Sequence, residues 1–228
     1  MLQELRLALR ACPSRASLAD YGEAITNQNV LQKNTLSNRR RSLRSLRELY
    51  ALDHDVLLFR ALRDLWTANV DAQPLLAVLC AVARDPLLRA SSALIVQEEM
   101  GTPISAAMFA DVISACFDGR YNAAVLAKIG RNVASSWTQS GHLVGRTRKE
   151  RRRVAATPVA TAYALLLGYL CGARGEALYS TLWCSLLDAP MHELRDHTVV
   201  AAQQGWLEYR HSGMVTEITF RHLLREEG

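Results

Sequence analysis

Apolar residues recur at helical spacing along most of this 228-residue chain, then at every second position near its end. The first rhythm predicts helices. Residues 2–11 and 16–27 read as two short ones separated by Pro13. Thr35 or Ser37 is placed to cap a third that runs to about Ala51, with Leu43, Leu46, Leu49 and Tyr50 on its inner stripe. Residues 54–69 bring Leu57, Leu58, Leu62, Leu65 and Trp66 to one side. Helices over 73–84 and 86–99 follow, the second opened by Pro86 in its first turn. Pro103 reads as the start of another, through Phe117. Asp118-Gly119 turns the chain, and Tyr121 or Asn122 leads into a helix ending near Ser140. Beyond Pro158, helices are expected over 159–171, 175–188 and 191–204, with a break at Asp188-Ala189-Pro190.

The period then drops to two. Trp206 to Arg210 alternates, His211-Ser212-Gly213 turns, and Met214 to Phe220 alternates again. That is a β-hairpin with Leu207, Tyr209, Ile218 and Phe220 on its inner face. Three helices followed by a hairpin is the winged-helix form of helix-turn-helix, in which the last helix before the hairpin is the usual recognition helix. The same plan occurs earlier. Gln139-Ser140-Gly141-His142-Leu143 is echoed by Gln203-Gln204-Gly205-Trp206-Leu207, 64 residues on. In both, an alanine- and valine-rich helix runs into a glycine, which suits a helix end needing positive φ, and a strand begins. The expected fold class is therefore all-α with small β-hairpin wings: a helical bundle containing two winged-helix-like units. The expected division is 1–157, ending in a basic unit, and 158–228, a C-terminal winged-helix domain.

Charge sharpens this picture. Net charge is only +5, but it is clustered, and of 27 basic residues only Lys33, Lys128 and Lys149 are lysines. Arginine suits bidentate phosphate contacts, although a GC-rich genome produces the same bias. Arg39, Arg40, Arg41, Arg44 and Arg47 form one cluster. Arg131, Arg146, Arg148, Lys149, Arg151, Arg152 and Arg153 form the other, the last six on the tip and return strand of the first expected wing. Asn132, Ser135, Ser136 and Gln139, on the helix before that wing, are polar groups suited to phosphates or base edges. Arginines on phosphates displace condensed counterions and give affinity with little sequence preference. The plainer alternative is that these arginines solubilise an exposed helix and loop, pairing with Glu48, Asp64 or Glu150. The last helix before the second hairpin carries His192, Glu193, Arg195, Asp196 and His197, a mixed surface more typical of protein interaction.

Nothing in the sequence argues for other chemistry. Five widely spaced cysteines in apolar surroundings, without a C-x-x-C pair, read as buried, reduced thiols of a cytosolic protein. The opening MLQELRLALRAC is amphipathic and charged, unlike a secretory leader. Val154 to Ala173 is uncharged, but its threonines, Pro158 and glycines favour a buried core helix over a membrane span. HELRDH (192–197) sets its histidines at i and i+5, not the i and i+4 that places both on one face for zinc. No phosphate-binding glycine loop, nucleophile elbow or paired carboxylates occur, so no enzyme, metal or cofactor is expected.

The run "NVLQKNTLSNRRRSLRSLRELY" (29–50) resembles a segment of the BrxA family, the small component of BREX phage-exclusion systems. Asn29, Val30, Leu31, Lys33, Thr35, Ser37, Arg39 and Arg40 fall in that family's pattern. Asp85 to Arg89 (D-P-L-L-R) and "KIGRNVASSWTQSGHLVG" (128–145) fit two later features, so the resemblance covers roughly residues 25–220. The N-terminus departs from it, having MLQELRLALRACPSRASLADYGEA in place of a glycine- and leucine-rich opening with an acidic-serine-arginine triplet. The resemblance implies a cytoplasmic, non-catalytic protein that binds double-stranded DNA and serves phage defence beside other BREX proteins, among them a methyltransferase and ATPases.

Overall fold

In a computed structural model, residues 1–213 and 215–225 are described; Met214, expected at the start of a return strand, lies outside them. Two short helices, α1 (Leu2–Ala11) and α2 (Leu18–Thr26), open the chain. Ser17 caps α2, and the Asp20 carboxylate answers the Ser17 backbone in a capping box. Thr35 caps α3 (Leu36–Tyr50), its hydroxyl accepting from Asn38 N at 3.2 Å. This helix stops because Ala51 and Leu52 both take positive φ, 69° and 56°.

α4 (Leu57–Leu65) and α5 (Gln73–Arg84) follow. Residues 75–82 of α5 are all buried, as expected of a helix surrounded by others. Asp85 caps α6 (Pro86–Gln97), with proline at the helix start. Pro103 does not begin the next helix. Pro103–Ile104 is a strand, β1, and Ser105 caps α7 (Ala106–Cys116). Asn122 caps α8 (Ala123–Gln139), and Gly141, at φ 91°, ends it. β2 (Leu143–Val144) and β3 (Lys149–Arg151) complete a three-stranded antiparallel sheet in the order β1-β3-β2.

The second half repeats this order. Thr157 caps α9 (Pro158–Leu170), in which every residue from Val159 to Gly168 is buried. The helix expected at 175–188 is divided: a 3₁₀ turn at Gly175–Ser180, then a single turn, α10 (Leu182–Ser185). Extended backbone at Thr181 separates them. Gly175 lies so close under the Thr216 carbonyl that a Cβ there would be 2.7 Å from its oxygen. α11 (Met191–Gln203) runs to Gly205, at φ 78°, and the hairpin β4 (Glu208–Ser212) and β5 (Val215–Thr219) follows, with Tyr209 opposite Ile218. Leu207, Ile218 and Phe220 are buried and Tyr209 half-buried, so the alternation identified the inner face. A last turn, α12 (Arg221–Leu224), packs back on α4.

One hydrophobic core runs through both halves without a break at 157. Tyr163 of α9 donates to the Leu58 carbonyl of α4 at 2.9 Å across it. No helix among the described residues is long and apolar enough to cross a membrane, and α9 is a core helix. Cys12, Cys80 and Cys184 are buried and unpaired; Cys116 and Cys171 are exposed instead, because each stands at the open end of a helix.

Gly130 sets how closely α7 and α8 cross. A Cβ there would meet the Ala106 carbonyl oxygen at 2.2 Å. Alanine normally stabilises a helix interior relative to glycine. Gly130→Ala reverses that sign: urea unfolding of the variant is expected to show a loss of about 1–3 kcal/mol, the range for overpacked cores.

Candidate nucleic-acid interface

The run of positive charge at 146–153 is sorted by the pleat of β3. In the antiparallel register, Lys149 stands opposite Ile104 and Arg151 opposite Leu143, while Glu150 stands opposite Pro103 and Val144. Lys149 and Arg151 therefore face inward. The Lys149 ammonium donates to Thr138 Oγ1 at 2.8 Å and to the Gly145 carbonyl at 3.2 Å, so it braces the turn. Gly145 itself, at φ 106°, would drive any Cβ to 2.0 Å from the Arg148 carbonyl oxygen.

Arg151 corrects the expectation that the whole run faces a ligand. Its side chain is 1% exposed and forms a two-point ion pair with Asp188, itself 5% exposed, with one contact at 3.0 Å. Arg151 Nε also donates to the Ile95 carbonyl at 2.8 Å, and Asp188 accepts from Val154 N at 3.1 Å. A buried guanidinium needs such a set of partners, so it is held as structure and not presented to solvent. Next to it His142 is fully buried. The Leu186 carbonyl can only accept, so His142 Nε2 donates to it at 2.8 Å and Nδ1 accepts from the Ser140 hydroxyl at 2.8 Å. Burial lowers the His142 pKa to about 4.

Two more expected contacts are engaged within the protein. Gln139 accepts from the Leu2 amide at 2.9 Å and donates to Ser135 Oγ at 3.2 Å, so it fastens α1 over the end of α8. Half-buried Arg39 donates to the Thr26 and Lys33 carbonyls at 3.1 and 3.3 Å and ties α2 to α3. Gln139 nevertheless remains exposed, and Arg39 is half-buried.

The remaining cations are exposed. Arg40, Arg41, Arg44 and Arg47 stand on the outer side of α3. Arg40, Arg41 and Arg44 line one open hollow of 370 Å³; Arg44, Arg47 and Arg84 line another of 580 Å³ together with Glu48 and Asp53. Arg131, Asn132 and Ser135 lie on the outer face of α8. Arg146 and Arg148 form the tip of the first hairpin, and Arg152 and Arg153 line a cleft of 480 Å³ at its base. Among the described residues, no carboxylate lies within 4.0 Å of Arg40, Arg41, Arg44, Arg47, Arg131, Arg146, Arg152 or Arg153. The pairings that would neutralise them are not formed: Asp64 pairs with Arg225, and Glu150 reaches only Arg148, at 4.0 Å and exposed, where a pair contributes little.

Two cations were missed. Lys128 is exposed one turn before Arg131 and Asn132; its i, i+3, i+4 and i+7 spacing to Arg131, Asn132 and Ser135 was readable as a single face. Arg84 joins the α3 group by donating to the Glu48 and Arg47 carbonyls at 3.2 and 3.4 Å, a contact no local pattern reveals.

The second half offers a different face at equivalent positions. With the 64-residue offset, Lys128, Arg131, Asn132 and Ser135 correspond to His192, Arg195, Asp196 and Val199. Arg195 is neutralised by Glu176 at 2.7 Å, and that guanidinium, with the Thr216 hydroxyl, holds the Glu176 carboxyl below its ordinary pKa. Val199 is 40% exposed. Among the described residues, no group of three or more His, Cys, Asp or Glu side chains is arranged to hold a metal ion.

No family model, curated protein or solved structure matches the chain. Charge, exposure and geometry are what bear on its function.

Removing one member of the buried pair strands the other. Arg151→Ala is expected to cost about 3–5 kcal/mol in denaturant unfolding, whereas Arg152→Ala, exposed beside it, should stay within about 0.5 kcal/mol. His142 adds a pH dependence. The unfolded imidazole takes a proton near its ordinary value of 6.5, the folded one not until about 4. Stability from the neutral ring is complete above that ordinary value and lost as pH falls toward 4. Unfolding free energies at pH 7 and pH 5 should differ by about 2 kcal/mol from this group, and His142→Asn should remove that part of the difference.

Proposed function

We propose that the chain is a non-catalytic, DNA-binding component of a BREX phage-defence system, holding duplex DNA largely through arginine–phosphate contacts. The observation that carries this reading is the set of exposed arginines on α3, α8 and the first hairpin that no carboxylate neutralises. Like charges held this close repel one another, and a polyanion relieves that repulsion.

The element order supports a winged-helix reading of both units. In residues 86–151 a helix, strand, helix, helix and two strands succeed one another, with the first strand paired to the last. Residues 158–219 have the same order with the 3₁₀ turn in place of the first strand. α8 is then the recognition helix of the first unit, and the Arg146–Arg148 tip is its wing.

A second reading, a protein adaptor, is favoured by α11. Its outer side carries the exposed Val199 beside Asp196, which a phosphate backbone would repel. That face suits a partner protein, such as another BREX component, and is compatible with DNA on the first unit.

The test is binding to a labelled duplex of about 30 base pairs across a salt series. Affinity should fall about 10²- to 10³-fold between 50 and 200 mM salt, as expected for about five phosphate contacts. A variant with Arg146, Arg148, Arg152 and Arg153 changed to alanine, leaving Arg151 intact, should fold normally and lose most of that binding. An adaptor alone would show no binding at about 100 mM salt.

A further inference from the structure

We infer that α8 reads base edges in the major groove, with Asn132 as a specificity-determining residue, while α3 holds only phosphates. This inference rests on the DNA-binding reading and deepens it.

The outer face of α8 differs in kind from that of α3. Lys128, Asn132 and Ser135 lie within about 60° of one line along the helix, opposite the buried Trp137 and Val133. Arg131 flanks them. The Asn132 carboxamide is exposed and makes no hydrogen bond within the protein among the described residues, although the neighbouring Gln139 and Ser135 side chains bond each other. A planar amide with a free donor and a free acceptor matches the N6 and N7 groups of adenine; lysine and arginine match O6 and N7 of guanine. On α3, by contrast, Arg40, Arg44 and Arg47 follow one another along the outer face, suited to the charge of a backbone.

Access follows from two features. Beside this face the first turn of α8 carries the small Ala124 and the exposed Val125. α1 covers only the last turn, through Gln139, and leaves Lys128 and the mid-helix Asn132 open. The equivalent asparagine position in α11 is Asp196, so the second unit lacks this reader.

The experiment is selection from a short duplex library with a randomised centre, at about 150 mM salt, using the full chain. Three proteins are compared: the wild type, Asn132→Ala, and a double variant with Arg44 and Arg47 changed to alanine. The wild type should enrich a purine-containing site. Asn132→Ala should lose about tenfold to hundredfold discrimination at one A·T pair of that site, with its salt slope unchanged. The arginine double variant should keep the same site, bind every sequence more weakly, and show a salt slope shallower by about one to two units. A wild type that binds the library and enriches nothing overturns base reading and leaves DNA binding standing. An enriched site that Asn132→Ala leaves untouched overturns the role of Asn132. A wild type that does not bind the library removes the DNA-binding reading, and this inference with it.

Discussion

Arg151 carries a full charge into the interior, and its pairing with Asp188 is the contact on which the placement of the basic residues of the first hairpin rests. The pair joins β3 to the turn between α10 and α11, thirty-seven residues on in the sequence. Ile95 at the end of α6 and Val154 after β3 join the same network. Two halves that repeat one plan are fixed at this point by charge as well as by the shared core. With Arg151 anchored inward, the alternation of the strand leaves Arg152 outside, and the turn lifts Arg146 and Arg148 into solvent. A buried ion pair is an expensive way to hold two surfaces together, because both groups lose water. What it supplies is register in one direction: a shift that brought Glu150 into the place of Arg151 would set two carboxylates together.

The repeat shows how one scaffold carries two surfaces. Gly141 and Gly205 end their helices alike, and Leu143 and Leu207 both turn into the core. The intervening residues differ because their environments differ. His142 is sealed between Ser140 and Leu186, whereas Trp206 is half-buried at the rim of the second unit. The outward faces have diverged further, from lysine, arginine, asparagine and serine to histidine, a neutralised arginine, aspartate and valine.

Much of the architecture was legible because helices announce themselves through period and caps. Thr35, Asp85, Asn122 and Thr157 each sit where a free amide needs an acceptor, and each supplies one. β1 was not legible, since two residues hold no period and Pro103 resembles a helix start. The approach of β5 to Gly175 was not legible either, since it depends on a carbonyl at Thr216, far along the chain. The basic clusters were visible as composition, but not which members face out. Nothing local to Arg151 names Asp188 as its partner, and nothing local to Gln139 or Arg39 shows α1 or the end of α2 against them. Lys128 was the reverse case, readable from spacing alone yet overshadowed by the denser run after it.

The uneven charge of the two halves has a consequence in solution. Residues 1–157 carry 22 basic and 14 acidic groups; residues 158–228 carry 5 and 8. Among the described residues the excess of positive charge therefore lies in 1–157, and 158–225 is nearly neutral with 5 basic and 6 acidic groups. A polyanion thus attracts residues 1–157 more strongly than residues 158–225, which favours approach by the first. Orientation during approach raises the fraction of productive encounters, and salt that shortens the Debye length shortens the range over which this preference acts.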